Sequence, residues 1–207
     1  MDQYTLYGRP GSGSFAVQVA LEELGARYQR IWVADDSAGV ALLRSLGPTG
    51  KVPALTLPDG TVMVESAAML IHLAESDPRG LLAPRAGTSA HALFLQWMVF
   101  LSANVYEAVL RVYYSARYSP RGEQDAAPIR EQGAIDLLAH LAAVSRALGP
   151  NVLGERFSIA DVYLYMLAGW YPGGKEELYA RLPALGEQAR QVAQRRSILA
   201  VEADHAA

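Results

Sequence analysis

The sequence contains no cysteine among its 207 residues. This absence excludes disulfide bonds, thiolate metal sites and any redox step that uses a thiol of the protein itself. The four histidines, His72, His91, His140 and His205, are scattered without HxxxH or HExxH spacing, so we expect no metal site. Any sulfur chemistry would therefore need a sulfur atom that arrives with a ligand.

The sequence also lacks a basic surplus. Its formal net charge is −3 and its pI is about 5.8, which argues against a nucleic-acid-binding protein. No apolar run stands out as long enough to span a bilayer, and Met1–Tyr4 lacks the basic and apolar regions of a signal peptide. With 51% hydrophobic and 19% charged residues, we expect a globular, cytoplasmic protein of one or two domains.

The stretch from Lys51 to Leu73 predicts a strand, a tight turn, a second strand and a helix. In the turn Pro58-Asp59-Gly60, proline fixes φ, aspartate can accept a bond from nearby backbone and glycine allows positive φ. The helix opens at Glu65-Ser66, where free N–H groups and the helix dipole favour an anion. Alternatively, Ser66 only caps the helix and Pro53 only starts a strand.

KVPAL, a short hairpin and E-S-A-x-x-L at this spacing resemble the glutathione-binding half of the glutathione S-transferase superfamily. The resemblance implies that Pro53 is cis and that the backbone of Val52 pairs with the cysteinyl part of glutathione. It also implies that Glu65 and Ser66 hold the γ-glutamyl group, and it places Lys51 in the same site. The superfamily normally has asparagine at the place of Gly47, which is a departure.

The resemblance implies a fold of two domains. Residues 1–78 show the order βαβαββα, which matches a thioredoxin-like, glutathione-binding α/β domain. After a segment rich in proline and glycine near residue 80, residues 86–207 are predicted to form an all-α helical, substrate-binding domain. Ser158 and Asp161 form a capping-box pattern there, and Val201–His205 is predicted to be a loose tail.

A glycine-rich loop after the first β-prone run bears the candidate catalytic hydroxyls. It lacks both GxGxxG and GxxxxGK[ST], so a nucleotide site is not favoured. In the superfamily an early tyrosine, serine or cysteine stabilises the glutathione thiolate, and a serine hydroxyl at a helix start can lower a thiol pKa from its usual value of roughly 8.5. Ser12 and Ser14 are equal candidates and Tyr7 is a third, while the alternative is that one serine caps the helix and the other faces solvent.

Candidates for a second-substrate pocket lie on the first long helix of the second domain. Asn104, Tyr106 and Tyr113 are the principal ones, with Arg111 and Tyr114 beside them. The bacterial cysteine-type enzymes carry a His-Lys pair at the place of Tyr106-Glu107, so this chain departs from that class and resembles a serine-type member instead. Aromatic residues at helical spacing also serve as core or dimer contacts.

These features predict a cytoplasmic glutathione transferase with the family's detoxification role. The expected reaction joins the glutathione thiolate to a small, largely apolar electrophile, without a metal, in a homodimer that binds neither nucleic acid nor membrane. The alternatives are a non-catalytic protein that binds glutathione or apolar ligands, and a glutathione-dependent isomerase. A thioredoxin-like oxidoreductase would need glutathione itself as the redox thiol.

Overall fold

The structure, a computed structural model, describes residues 3–206. Met1–Tyr4, where no signal peptide was expected, therefore lies partly outside the described residues. The chain divides into two compact units, one formed by Met1–Ala86 with Ala193–Ala207 and the other by Gly87–Val192. The last helix thus belongs with the first unit, which differs from the expected helical domain of residues 86–207.

A four-stranded mixed sheet in the order β2-β1-β3-β4 forms the centre of the first unit. Strand β1 pairs in parallel with β2, whereas β3 runs antiparallel to both β1 and β4. Leu6 of β1 lies opposite Leu55 of β3, and both side chains are fully buried. The strands are β1 (Tyr4–Gly8), β2 (Tyr28–Trp32), β3 (Ala54–Thr56) and β4 (Val62–Val64).

Local sequence signals set the helix and turn boundaries of this unit. Helix α1 (Ser14–Leu24) ends at Gly25, whose φ of 65° suits a left-handed cap. Helix α2 (Ser37–Leu46) begins after Asp36, whose carboxylate accepts the Gly39 N–H at 2.8 Å. Helix α3 (Ser66–Glu75) follows β4.

Gly47, the departure from the superfamily pattern, has a steric explanation. A Cβ added at Gly47 would lie 2.6 Å from Cγ1 of Val64 on β4, which is too close for any larger residue without movement. Glycine lets the end of α2 approach the sheet here. The packing of α2 against β4 therefore favours glycine at position 47 over the asparagine of the superfamily pattern.

The C-terminal segment was expected to be a loose tail, and that expectation is wrong. Helix α10 (Arg196–Ala206) packs on α1 within the first unit, with Ile198 and Val201 fully buried. Glu23 of α1 accepts two bonds from the Arg195 guanidinium, both at 2.7 Å. These contacts between distant parts of the sequence explain why the sequence pattern near the end did not predict the helix's position.

The second unit is entirely helical apart from short turns and isolated bridges among its described residues. Its first helix runs without a break from α4 through a six-residue π-helical segment into α5, and Thr88 caps its start by accepting the His91 N–H at 3.2 Å. The helices are α4 (Ser89–Phe100), the π-helical segment (Leu101–Tyr106), α5 (Glu107–Tyr113), α6 (Ala126–Ala147), α7 (Ile159–Ala168), α8 (Gly174–Arg181) and α9 (Pro183–Ala193).

The stretch Ser89–Tyr113 is long and apolar enough to cross a membrane by length and composition, so the expectation that no such run exists was too strict. A core helix of a soluble protein can have the same length and composition. Phe94, Met98 and Leu101 on this stretch are fully buried inside the protein. Its apolar character is thus explained in part by packing.

The predicted capping box at the start of α7 is present and lies in the core. The Asp161 carboxylate accepts the backbone N–H groups of Ser158 and Val152, each at 2.8 Å, and the Gln188 amide at 3.2 Å. Burial raises the pKa of Asp161 despite these hydrogen bonds. The box therefore ties three segments of the second unit together.

Candidate functional site

The register of the sheet brings three predicted parts of the site to one end of it. Tyr7 pairs with Ala54, and Ala54 pairs with Val64. The residues just beyond these pairs are the loop after Gly8, the Val52-Pro53 bond before Ala54, and Glu65-Ser66 after Val64. Because β3 is antiparallel to both neighbours, its beginning lies beside the ends of β1 and β4.

The loop Arg9–Gly13, here called the Ser12 loop, connects that end of β1 to α1. Ser12 closes it with a turn, in which its backbone N–H donates to the Arg9 carbonyl at 3.2 Å. The Arg9 side chain fixes the loop from outside by donating to the Val33 carbonyl at 3.0 Å and pairing with Asp35 at 2.6 Å. Sequence reasoning had assigned no role to Arg9.

The two candidate serines differ in exposure although their hydroxyl oxygens lie 2.9 Å apart. Ser14 has no exposed surface, and its hydroxyl donates to the Arg9 carbonyl at 3.1 Å. Gly8 makes this burial possible, since a Cβ there would lie 2.4 Å from the Ser14 hydroxyl oxygen. Ser12 is only half-buried, and its hydroxyl reaches the same carbonyl at 2.8 Å.

Helix α1 begins next to these hydroxyls. Its N-cap is Gly13, which offers no side chain to cap the first turn. The Ser12 hydroxyl oxygen lies 3.3 Å from the Ser14 N–H and 3.4 Å from the Arg9 N–H. Two backbone donors therefore face this oxygen, which polarises the hydroxyl and makes it a better donor.

Tyr7 and Val52 pack into the core beside the site. Both side chains contact the buried cluster of Val33, Leu43 and Ala54. Tyr7 therefore has a packing role. The inward side chain of Val52 leaves its backbone as the part that can meet a ligand.

The Val52-Pro53 peptide bond is cis in the structure. Pro53 is buried and Lys51 is exposed. Twelve residues further on, Glu65 has a φ of 72°, an uncommon value for a residue with a side chain. Its carboxylate is exposed and does not cap α3, whereas Ser66 is 6% exposed.

The second-substrate candidates lie in the other unit, where two of the three share one partner. The Tyr106 ring is 5.4 Å from the ring of Trp170, and the Tyr113 hydroxyl donates to the Trp170 carbonyl at 3.0 Å. Asn104 and Tyr106 both belong to the π-helical segment, a form often found at functional sites. Sequence reasoning missed Trp170, which lies just after α7 where no periodic pattern singles it out.

Among residues 3–206, no cluster of three or more histidine, aspartate or glutamate side chains could hold a metal ion. The groups brought together at the sheet end are instead hydroxyls, two helix N-termini, an exposed carboxylate and an exposed lysine. Such groups can bind a zwitterionic peptide and a thiolate.

The model of the family described as "Glutathione S-transferase, N-terminal domain" matches residues 14–76 of the chain. Glutathione S-transferase GstA of Escherichia coli O157:H7 is 30% identical over 178 residues, which cover 80% of this chain and 81% of that protein. The chain belongs to the glutathione S-transferase family.

Solved structures extend the likeness over nearly the full length of the chain. A glutathione transferase homologue from Sulfitobacter, with bound glutathione, is 30% identical, has a TM-score of 0.85 and is covered to 99%, as is this chain. A sphingomonad glutathione S-transferase complexed with glutathione is 31% identical, with a TM-score of 0.81 and 98% coverage of both chains. The thioredoxin-like fold followed by a helical domain, predicted from the sequence, is confirmed.

An uncharacterized GST-like protein of Escherichia coli K12, YncG, is equally similar, with 30% identity over 175 residues. The aligned region covers 81% of this chain and 82% of YncG. Family membership is therefore shown, and the structural relatives named above carry glutathione.

Proposed function

We propose that this family member is a cytoplasmic glutathione transferase in which Ser12 stabilises the thiolate of glutathione. The observation that supports the proposal is the convergence of the Ser12 loop, Val52-Pro53 and Glu65-Ser66 at one end of the sheet. These are the parts that the family resemblance assigns to the sulfur, the cysteinyl backbone and the γ-glutamyl group. Their assignment in this chain is part of the proposal.

Ser12 is preferred to Ser14 because only Ser12 retains exposed surface. In the proposed complex the Ser14 hydroxyl donates to the Arg9 carbonyl or to the Ser12 oxygen, and both contacts exist already. The Ser12 proton is then available for the sulfur. The Ser14 hydroxyl therefore still donates a hydrogen bond to the Arg9 carbonyl when the Ser12 hydroxyl rotates toward the ligand.

The thiolate is the attacking species, and a hydrogen bond from Ser12 favours it over the neutral thiol. The first turn of α1 adds its positive end, where the N-cap Gly13 has no side chain. Together these lower the pKa of the bound thiol. The sulfur atom can then attack at neutral pH.

The rest of glutathione would lie along the cis-proline segment and the start of α3. An extended peptide can pair with the backbone of Val52, since the Val52 side chain is directed into the core. Ser66 and the first N–H groups of α3 would bind the γ-glutamyl carboxylate, and Glu65 its ammonium group. Lys51 is an exposed cation that suits the remaining carboxylate.

The reaction is a displacement at an electrophilic carbon. The thiolate forms the S–C bond, and the leaving group departs with the electron pair of the bond that breaks. Tyr106, Tyr113 and Asn104 are proposed to contact this second, largely apolar substrate, with the Tyr106 hydroxyl able to donate to a leaving group. The aromatic group around Trp170 supports this assignment.

A homodimer is also proposed. Leu93 and Val99 on α4 are 51% and 59% exposed, and Ile135 on α6 is 57% exposed. Large apolar side chains exposed on neighbouring helices are typical of an interface between copies of a chain. Sedimentation equilibrium would show a dimer, whereas a monomer at assay concentration would contradict this part.

A conjugation assay with a chlorinated nitrobenzene, run beside retention on immobilised glutathione, tests the proposed function. We expect both retention and turnover. Retention without turnover in a broad panel of electrophiles would favour a binding protein. In that case the Ser12 hydroxyl would keep its present hydrogen bond to the Arg9 carbonyl. Isomerisation of an unsaturated substrate without consumption of glutathione would favour the isomerase.

A further inference from the structure

The Ser12 loop is held from its outer side by the C-terminal helix of the same unit. The Gly11 N–H donates to Nδ1 of His205 at 3.2 Å, across 194 positions of sequence. Gly11 is exposed and has a φ of 67°. It immediately precedes Ser12, so this contact acts on the backbone that carries the proposed thiolate donor.

The neighbours of His205 fix which ring nitrogen carries the proton. The Gln18 amide nitrogen donates to the Asp204 carboxylate at 2.6 Å, and a carboxylate can only accept. The Gln18 oxygen therefore faces Nε2 of His205, at 3.3 Å. Because an amide oxygen also only accepts, Nε2 holds the proton and Nδ1 is free to accept from Gly11.

Aromatic contacts fix the plane of the same ring. The His205 ring meets Phe15 of α1 edge-on at 5.3 Å and Trp32 of β2 at 5.0 Å. Arg30 stacks on Trp32 at 4.4 Å and also pairs with Asp204. The ring is thus oriented by α1, β2 and α10 before any ligand arrives.

The charged groups that face His205 are Arg30 from β2 and Asp204 from its own helix, while α1 contributes the uncharged Phe15 and Gln18. Burial lowers the pKa of His205 to about 4, helped by Arg30 and opposed by Asp204. The imidazole is therefore neutral near pH 7, the state in which Nδ1 can accept a hydrogen bond.

We propose that His205 is a positioning residue for the reaction, which accepts the Gly11 N–H and so holds the Ser12 loop in the conformation that presents the Ser12 hydroxyl to the glutathione thiol. The inference rests on the proposed function. It assigns to the C-terminal helix a role in the sulfur site that nothing near residue 205 in sequence indicates.

Two matched variants separate hydrogen bonding from packing. In H205N the side-chain oxygen replaces Nδ1 as an acceptor but the ring is lost. In H205F the ring contacts remain and the acceptor is lost. H72N changes an exposed histidine of α3 and serves as the control.

The first measurement is the pKa of the thiol of bound glutathione, taken from the ultraviolet absorbance of the thiolate across pH. We expect H205F to raise this pKa and to lower kcat/KM about three- to tenfold, the range of one neutral hydrogen bond. H205N should stay within about twofold of wild type, as should H72N. Equal losses in H205N and H205F would show that a restored acceptor does not rescue the loop, and a loss in H205N with none in H205F would show that only ring packing matters. Either result overturns the inference.

The second measurement needs no glutathione. Amide hydrogen exchange at Gly11 should be faster in H205F than in wild type and H205N, with melting temperatures showing that each variant is folded. If wild type forms no thiolate, the proposed function fails, and the exchange rates still decide whether His205 holds the loop. Unchanged exchange in H205F overturns the inference even when wild type is active.

Discussion

The contrast between Ser12 and Ser14 provides the sharpest test of the proposed chemistry. The two side chains are two residues apart and share the Arg9 carbonyl as a hydrogen-bond acceptor. They differ in burial, because Ser14 is fully enclosed and Ser12 is not. The single substitutions S12A and S14A remove the same atom, so each serves as the control for the other.

For S12A the expected effect falls on the thiol. A hydrogen bond to a charged group contributes about 1.5–3 kcal/mol, and one pKa unit corresponds to about 1.36 kcal/mol. Loss of the Ser12 hydroxyl should therefore raise the pKa of the bound thiol by about 1–2 units and lower kcat/KM at neutral pH by about ten- to a hundredfold. The fold should be nearly unchanged, since Ser14 still donates to Arg9.

For S14A the expected effect falls on stability. Removal of a fully buried hydroxyl that donates to the Arg9 carbonyl should cost about 1–2 kcal/mol of unfolding free energy. For a chain of this size, each kcal/mol lowers the melting temperature by about 2–4 °C. The thiol pKa should move less in S14A than in S12A.

Both variants are assayed by titrating the thiolate absorbance of bound glutathione, by conjugation kinetics and by thermal unfolding. Kinetics are compared at equal folded fraction, which removes the stability effect of S14A. An S12A protein with the thiol pKa of wild type would refute the assignment of Ser12. A larger rise in the thiol pKa in S14A than in S12A would transfer the role to Ser14.

Three further predictions concern binding, folding and pH. S66A should weaken glutathione affinity at least about tenfold, or ~1.4 kcal/mol, with little change in unfolding temperature, and equal affinity by calorimetry would remove Ser66 from the site. D161A leaves the buried N–H groups of Val152 and Ser158 unpaired, so urea unfolding should show a loss of about 3–5 kcal/mol, and a loss below about 1 kcal/mol would contradict this. The folded pKa of His205 is about 4 against an ordinary 6.5, so between these pH values the unfolded chain binds more protons and acidification destabilises the fold. After allowance for the partial exposure of His205, acidification through this range should lower the free energy of unfolding by about 1–2 kcal/mol. The H205F variant should not show this loss. If the free energies of unfolding of wild type and H205F change in parallel over that pH range, the lowered pKa of His205 is contradicted.

Patterns that act over a few residues were predicted well. The turn at Asp59-Gly60 forms as expected, with the Asp59 carboxylate accepting the Thr61 N–H at 2.8 Å and Gly60 at a φ of 90°. The capping box of Ser158 and Asp161 is present for the same reason, since its partners are three residues apart. Such devices depend on local backbone geometry, which residue types largely determine.

Contacts between segments distant in sequence decided which candidate serine is accessible. Ser12 and Ser14 were equal candidates on sequence, because either can stand at the start of a helix. Only the close approach of Gly8 to Ser14 encloses one hydroxyl and leaves the other accessible. That approach depends on how β1 and α1 pack, which no local pattern specifies.

By itself, the sequence determined the order of elements, the motif at Pro53 and Glu65-Ser66, and the need for an external sulfur atom in a chain without cysteine. The tertiary structure alone decided that the last helix returns to the first unit and that His205 meets Gly11. The physical reason is separation along the chain. Turn, cap and periodicity signals reach only a few residues, whereas a hydrogen bond across 194 positions exists only once the sheet and both helices have packed.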